Sequence, residues 1–538
     1  MLENFFDKIL EEDETKIGRE SGRPACRRGR VKEQEGEKEK FNWRDLLLPA
    51  GIFLLALIPR LYLLFFAGDP QSPGWYNDTF HHWQVAYLTK TVGFKHGFLR
   101  LWDFKGMEYF WGLLHPLVLI ILFALTGSVD ILVPRFLSVF CGALAILFLF
   151  LLIRRHFSFA SALGAAIFTS FMPVVLYSDT VGMQEPLGLV LIFGGLLLWP
   201  KRPAWAGFLL ALAGMVRAEY WLFGVGLFGT ALFSKEKFDQ KVLFSLGWTL
   251  PTIFYMKYLL DQTGNPIYPI YWNFLASVKG EWFTDVPLPP GTLQAQFISR
   301  IVFVFGILAG LLTLFKRPRF YLLFLFGFAN VVFLGFMLGF SAYIRGYLPR
   351  FWIDRLFAWP YAFIGILLSV VFLFWLPARF RFFGKLKLGW LVLIGGLLIS
   401  QIAWNPIEKN AKIGIERFEK ERELAEEVAS VYQGGTILIP EDRPPFVYAL
   451  VNNHGIKGDN LLGQMYDPFF YFKEEDPFLN WSNYRQEVFN WLRQYNVRLL
   501  VVYQDRERYQ KLIKKEPEAF HLVKKTKMGI QIYEVKPD

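Results

Sequence analysis

The sequence predicts a polytopic α-helical membrane protein of about eleven spans with a small α/β domain at its C-terminal end. Three observations carry that expectation. Hydrophobic residues make up 54% of the 538 and charged residues only 20%, with 57 Phe and 18 Trp, which in water would leave large apolar patches exposed. Runs such as Leu46–Ala67, Ile301–Phe315 and Tyr361–Leu376 approach the roughly 20 apolar residues that a bilayer crossing needs. Between the runs, basic connections alternate with acidic or aromatic ones, as cytoplasmic and external loops do.

Residues 1–45 form the first unit. Cys26-Arg27-Arg28-Gly29-Arg30 and the mixed-charge run Lys32–Lys40 read as a solvated cytoplasmic tail, with anionic lipid as its one added contact. The net charge of +11 is divided among short clusters between apolar runs, so no nucleic-acid partner is expected. Two cysteines, Cys26 and Cys141, imply no disulfide framework. The first apolar stretch starts after about 45 residues and is long enough to span, so it does not read as a cleavable signal peptide.

Residues 46–405 form the membrane region, and the parity of its basic loops sets the topology. Arg154-Arg155, Lys201-Arg202, Lys235 with Lys237, Lys316-Arg317 with Arg319, and the Arg379–Lys387 cluster should all face the cytoplasm, an even number of crossings apart. Tyr177–Pro186, Asp261–Gln294 and Ser341–Arg355 then lie outside. The apolar segment Ala204–Phe233 is about 30 residues, or roughly 45 Å as a helix, too long for one upright crossing. With basic clusters at both ends, it reads as two short spans meeting at Arg217-Ala218-Glu219. Tyr109–Leu125 is apolar enough to cross, but a crossing there would invert every later loop. It reads instead as interfacial or re-entrant, within a long first external loop of residues 68–134. The N-terminus is then cytoplasmic, and the protein sits in the plasma or inner membrane.

Residues 406–538 lose the long apolar runs. Short strands (Thr436–Ile439, Arg498–Tyr503, Gly529–Val535) alternate with helical stretches (Tyr484–Tyr495, Arg506–Lys515), which predicts an extracytoplasmic α/β domain.

Four external features carry residues suited to chemistry. Asp78, in Gly74-Trp75-Tyr76-Asn77-Asp78-Thr79-Phe80-His81-His82-Trp83, reads as a general base or metal ligand, or as the N-cap of a juxtamembrane helix. His81 and His82 are supporting candidates; adjacent on a helix, they point apart and do not share an ion. Asp179 and Glu185 place two carboxylates and no basic residue in one short loop, although Glu185-Pro186 also suits a first helical turn. Arg217 and Glu219 form a charged pair at membrane depth, with Arg217 a phosphate clamp or a partner for Glu219. Arg345-Gly346-Tyr347-Leu348-Pro349-Arg350, with Asp354-Arg355 beyond, gathers arginines on the side expected to be poor in them, which fits an anionic ligand.

In their order along the chain, these features resemble the polyprenyl-phosphate-dependent glycosyltransferases of the GT-C superfamily. The nearest pattern is the family containing protein O-mannosyltransferases and lipid A aminoarabinose transferases (glycosyltransferase family 39). The resemblance covers most of the membrane region. Asn77-Asp78-Thr79 stands where that family has an acidic residue after the first span, and Phe110–Leu125 where it has an interfacial segment. Pro134-Arg135-Phe136-Leu137-Ser138 through Arg154-Arg155-His156-Phe157 is similar to its second span. Asp179 or Glu185 matches the acid of the second external loop, and Arg345-Gly346-Tyr347-Leu348-Pro349 resembles a late Arg-Tyr-x-x-Pro pattern. The family's Asp-Glu pair is here Asp78-Thr79.

The resemblance implies a GT-C-like fold that moves a sugar, with inversion, from an undecaprenyl- or dolichyl-phosphate donor to an extracytoplasmic protein, lipid or glycan. Asp78 would be the general base; Arg217 and Arg345 or Arg350 would hold the donor phosphate. Glu185 would assist or bind a divalent metal, Mg or Mn, with Asp78 as the other ligand. Three alternatives stay open. An oligosaccharyltransferase-like enzyme fits the His82 and Gly182–Glu185 contexts, but the chain has no Trp-Trp-Asp-Tyr-Gly motif. A lipid flippase or transporter would need ionisable residues at the midplane and repeat symmetry. A non-catalytic envelope protein would work through its C-terminal domain.

Overall fold

The computed structural model describes residues 43–92, 111–199, 201–218, 220–221, 224–225, 228, 236–271, 355, 358–380, 382, 388–441, 443–463, 468–469, 476–504 and 506–536. The tail, Ile301–Phe315, Glu219, Arg345, Tyr347 and Arg350 lie outside the described residues.

Helix α1 (Trp43–Tyr62) runs on through a π-helical turn to Ala67, and α2 (Asp78–Val92) and α3 (Leu114–Thr126) follow. Next come α4 (Leu132–His156), α5 (Phe159–Phe171), α6 (Pro173–Ser178), α7 (Glu185–Leu198), α8 (Pro203–Gly214) and α9 (Phe238–Thr263). Then α10 (Ala358–Val370) continues through a second π turn to Arg379, and α11 (Leu388–Ser400) passes through a 3-10 turn into α12 (Trp404–Ala429). Four described helices, Leu47–Phe66, Leu132–His156, Tyr361–Arg379 and Leu388–Ala429, are long and apolar enough to cross a membrane. Large apolar side chains stand exposed along their outer faces: Leu47, Leu54 and Ile58 on α1, and Leu391, Leu398 and Ile399 on α11. Such faces are costly in water and at home against lipid.

Two ambiguous apolar segments are now visible as structure. Helix α8 stops at Gly214, Arg217 sits in a non-helical link, and helix resumes at Ala218, so the long run breaks at Arg217, which pairs with Glu185. Helix α3 has 13 residues, about 20 Å. Its two faces differ. His115, Leu119 and Phe123 are buried, whereas Leu117, Ile121 and Leu125 are exposed.

The composition change expected near residue 405 falls inside one continuous helix. From Leu388 to Ala429 the helical path has 42 residues, apolar through Ile402 and charged on its outer face beyond. It carries the chain into a five-stranded sheet of order β2-β1-β3-β5-β4. The strands and intervening helices are β1 (Thr436–Ile439), α13 (Pro444–Asn452), β2 (Leu461–Gly463), α14 (Trp481–Gln494), β3 (Val497–Tyr503), α15 (Glu507–Lys515), β4 (Phe520–Lys525) and β5 (Ile530–Val535). Strands β2, β1 and β3 are parallel; β5 and β4 run antiparallel to their neighbours. The sequence pattern marks β1, β3 and β5 but not the other two. Strand β2 is only three residues long, and β4 is an edge strand whose side chains are mostly exposed, so neither alternates visibly.

Strand alternation divides the domain core into two layers. Leu438, Leu500, Val502 and Tyr533 pack under α14 and α15. Ile437, Ile439, Leu499, Val501 and Ile532 share a cluster with Phe446 of α13, Phe418 of α12, Phe80 and Trp83 of α2, and Leu119 and Phe123 of α3. The C-terminal domain therefore rests directly on the helices of the first long loop.

Within the helical region, Arg60 of α1 is fully buried. Its Nε and Nη2 donate to Asp179 Oδ2 at 2.9 and 2.6 Å, and its Nη1 donates to the Ala56 carbonyl. Arg60→Met would strand a buried carboxylate, costing about 3–5 kcal/mol. A thermal-unfolding series in detergent should show Arg60→Met melting well below wild type and Arg60→Met/Asp179→Leu recovering most of the loss. Equal losses would show that the pair contributes only packing.

Candidate active site

Four stretches of chain converge on one polar cluster: the start of α2, the loop before α7, the link after α8, and Arg355. The backbone carbonyl of Asn77, just before α2, accepts from the backbone N–H groups of Phe80 and His81, so Asn77 stands at the helix start and Asp78 is the first helical residue rather than the cap. Asp78 is thereby free to turn its carboxylate outward at the first helical position, where the helix dipole favours an anion. Thr79, in the place of the resembled family's second acid, is buried and donates its hydroxyl to the Val181 carbonyl at 2.7 Å. That bond fixes α2 to the loop carrying Glu185. Gly182 in this loop has φ +87°, and a Cβ there would come within 2.8 Å of Thr79 Cγ2, so glycine is required on both counts. Arg135 of α4 ties the two loops from behind: Nε donates to the Thr180 carbonyl, and Nη1 to the carbonyls of Asp69, Pro70 and Ser72.

At the centre, Arg355 Nη2 donates to Asp78 Oδ2 at 2.6 Å, and its Nε lies 3.3 Å from Glu185 Oε1. Arg217 Nη1 donates to the same Glu185 oxygen at 2.7 Å. Tyr220 donates its hydroxyl to the Glu185 carbonyl. The backbone N–H of Arg355 donates to the Tyr76 hydroxyl, and its guanidinium lies 5.1 Å over the Tyr76 ring. Two acids and two guanidinium groups thus neutralise one another in a largely dry setting. Glu185 is 6% exposed and its Oε2 is buried without a hydrogen-bond partner among the described residues. Asp78, at 36%, faces a cavity of about 600 Å³ beneath the C-terminal domain. Burial raises the Asp78 pKa, but Arg355, with His81 and Arg217 behind it, outweighs burial and holds the carboxyl below its ordinary value.

Of the residues singled out by sequence, Asp78, Glu185 and Arg217 are therefore brought together, and His81 lines the same cavity. His82 points the other way, buried against Trp111 and His115 with ring centroids 4.8 and 5.0 Å away. Burial pushes His82 well below its ordinary pKa and His115 down to about 3, so both are neutral near pH 7. Asp179, read as a catalytic alternative to Glu185, is set apart: its side chain is 4% exposed and bound by Arg60.

Asp78 and Glu185, the two expected ligands of a divalent metal, do not fit that task as arranged. The Arg355 guanidinium already bridges them, so a divalent cation would meet a positive charge where it needs oxygen donors. No group of three His, Cys, Asp or Glu side chains suited to a metal occurs among the described residues.

Two features escaped the sequence reading. Arg355 was visible only as a neighbour of the Arg345–Arg350 cluster, although it is the residue that touches both acids. The cavity's opposite wall, including Arg417, Lys420, Glu421, Glu441 and Arg443, comes from the C-terminal domain and α12, some 340 residues from Asp78. Of it the sequence offers only Asp442-Arg443 and Asp467 as a roof, each suited better to a solvated face. Arg443 does line the cavity, while Asp442 and Asp467 lie outside the described residues. No local motif marks it. An internal signal for Arg60 did exist: a lone arginine inside an apolar run implies a buried partner.

No protein-family profile matches the chain, and no curated protein matches it either. Among solved structures, it is similar to the oligosaccharyltransferase of Archaeoglobus fulgidus in its apo form, at 13% identity over 86% of this chain and 70% of that one, with TM-score 0.47. The oligosaccharyltransferase AglB of the same organism, in complex with an inhibitory peptide and a dolichol-phosphate, aligns at 14% identity over 92% of this chain and 75% of that one, with TM-score 0.40. ArnT from Cupriavidus metallidurans in its apo state aligns at 11% identity over 90% of this chain and 98% of that one, with TM-score 0.49. The likeness is distant, with TM-scores below 0.5 throughout.

Proposed function

We propose that this chain is a membrane glycosyltransferase of about eleven spans that moves a sugar from a polyprenyl-phosphate donor to an extracytoplasmic acceptor. The observation that carries the reading is the convergence of Asp78, Glu185, Arg217 and Arg355 in one ion-paired cluster from which Asp78 faces the cavity. A flippase needs no carboxylate presented to a cavity beside two guanidinium groups; a transferase uses one to take the acceptor's proton.

Asp78 Oδ2 is held by Arg355, which leaves Oδ1 to meet an incoming hydroxyl. As the acceptor oxygen forms its bond to the anomeric carbon, Asp78 takes the hydroxyl proton. The bond from that carbon to the phosphate oxygen breaks, and its electron pair leaves with the phosphate. Attack opposite the leaving group inverts the anomeric centre. The charge balance suits this sequence of events. The resting cluster is neutral, with two acids against two arginines. Protonation of Asp78 gives it a charge of +1 as the departing phosphate gains one negative charge. Arg217 and Arg355 are therefore the described donor-phosphate candidates, with Arg345 and Arg350 retained from the sequence. Glu185 positions both guanidinium groups. In this reading residues 68–134 and 406–538 lie outside, 1–45 lie in the cytoplasm, and α3 lies along the membrane surface.

Asp78→Asn removes the proton acceptor and should slow transfer about 10²–10⁴-fold in membranes supplied with a lipid-linked sugar. Undiminished transfer would sink the assignment. The product's mass increment separates single-sugar transfer from transfer of an oligosaccharide.

Arg355→Met removes the strongest of the charges that oppose the burial of Asp78, leaving His81 and Arg217, so its carboxyl pKa should rise. A base acts in its ionised form, above its pKa. The acid limb of the pH–rate profile should therefore move to higher pH, and an unmoved limb would assign the limb to another group.

The orientation has its own test. With Cys26 and Cys141 replaced by Ser, an impermeant thiol reagent applied to intact cells should label Lys457→Cys and spare Arg154→Cys. The reverse pattern would invert the topology and remove the site from the outer face.

A further inference from the structure

The cavity over Asp78 has a floor of membrane-side residues and a roof made by α12 and the sheet. The position of the roof is fixed by packing. Gly414 of α12 meets the backbone of Gly74 so closely that a Cβ would fall 1.8 Å from the Gly74 carbonyl oxygen. One turn on, Phe418 stacks on Phe80, two residues after Asp78, with centroids 5.1 Å apart and rings 21° from parallel. Arg417, Lys420 and Glu421 follow at i, i+3 and i+4 spacing and line the cavity with Asp78.

The ion pairs of the roof do not balance. Glu421 is gripped by Arg443 at 2.7 and 3.0 Å, and Glu441 lies 3.6 Å from both Arg443 and Arg506. Glu441 also accepts from the backbone N–H of Tyr503. Two carboxylates thus satisfy Arg443 and Arg506. Arg417 and Lys420 are exposed and form no ion pair among the described residues. Across the cavity, Asp78 is already neutralised by Arg355. Among the described residues the roof therefore carries two surplus positive charges, Arg417 and Lys420, about one helical turn apart.

We infer that the roof selects an anionic acceptor, with Arg417 and Lys420 binding a phosphate or carboxylate group while a hydroxyl of the same molecule reaches Asp78. This rests on the transferase reading above and adds the acceptor's chemical class to it. Arg417 and Lys420 line the cavity, whereas Arg217 is paired with Glu185 outside its lining, so the acceptor and the donor phosphate use separate cations. Low exposure on the floor and high exposure on the roof give the two sites different salt sensitivity, with acceptor capture the more readily screened.

The test uses the full chain in nanodiscs with radiolabelled lipid-linked sugar extracted from the host membrane. Envelope acceptors are separated by anion exchange into neutral and anionic pools. Label should enter the anionic pool. Arg417→Gln/Lys420→Gln should raise the half-saturating amount of that pool about tenfold per lost cation, the scale of a charge-assisted hydrogen bond. Half-saturation by donor should not change, and Arg417→Lys/Lys420→Arg should retain wild-type behaviour. Preferential labelling of the neutral pool would overturn the inference. So would a double-Gln variant weakened toward donor alone, which would give these cations to the donor phosphate. Asp78→Asn separates the two levels of argument. Its silence with a neutral product removes only the anionic acceptor, whereas its full activity removes the transferase reading itself.

Discussion

The guanidinium group of Arg355 joins two helix starts that lie more than 100 residues apart along the chain. It reaches Asp78 at the start of α2 and Glu185 at the start of α7, while its own backbone is held by Tyr76. A buried guanidinium must have its charge met and its donors filled, and few geometries do both. Once Arg355 sits between the two acids, the positions of both helix starts are set relative to each other, and Arg217 completes the pairing at Glu185. A cluster of four charges at low exposure is stable only as a set, since removing one member leaves its partner stranded.

Behind this cluster, a second layer of bonds holds the loops that supply it. Thr79 bonds Val181, Arg135 gathers the carbonyls of residues 69–72 and 180, and Arg60 secures Asp179. These are irregular segments with backbone groups to satisfy away from water, and the side chains that satisfy them come from the apolar helices on either side. The division of labour among the acids follows from exposure. Asp179 is bound and enclosed, Glu185 is enclosed but shared by two arginines, and Asp78 alone faces the cavity. Only the last can exchange a proton with an incoming molecule.

The C-terminal domain is part of the site because of where its apolar layer is buried. Ile437, Leu499 and Ile532 do not face water but pack into the cluster containing Phe80, Trp83, Leu119 and Phe123. The same contact that completes the domain's core closes the cavity above Asp78. Continuous helix from Leu388 to Ala429 makes the connection stiff, so the roof has a fixed register over the floor.

Much of the fold was legible along the chain. Apolar runs of bilayer length, the break at Arg217 and the strands at 436, 498 and 530 are local patterns of hydrophobicity, and local patterns survive in sequence. So were Asp78, Glu185 and Arg217, because charge beside an apolar run is conspicuous. Pairing was not legible. Nothing near Asp179 announces Arg60, nothing near Asp78 announces Arg355, and the roof residues look like any solvated helix face until α12 is laid over α2. Sequence determines which groups are costly to bury; only the tertiary structure decides which partner makes each burial tolerable, because that partner is chosen by distance in space and not along the chain.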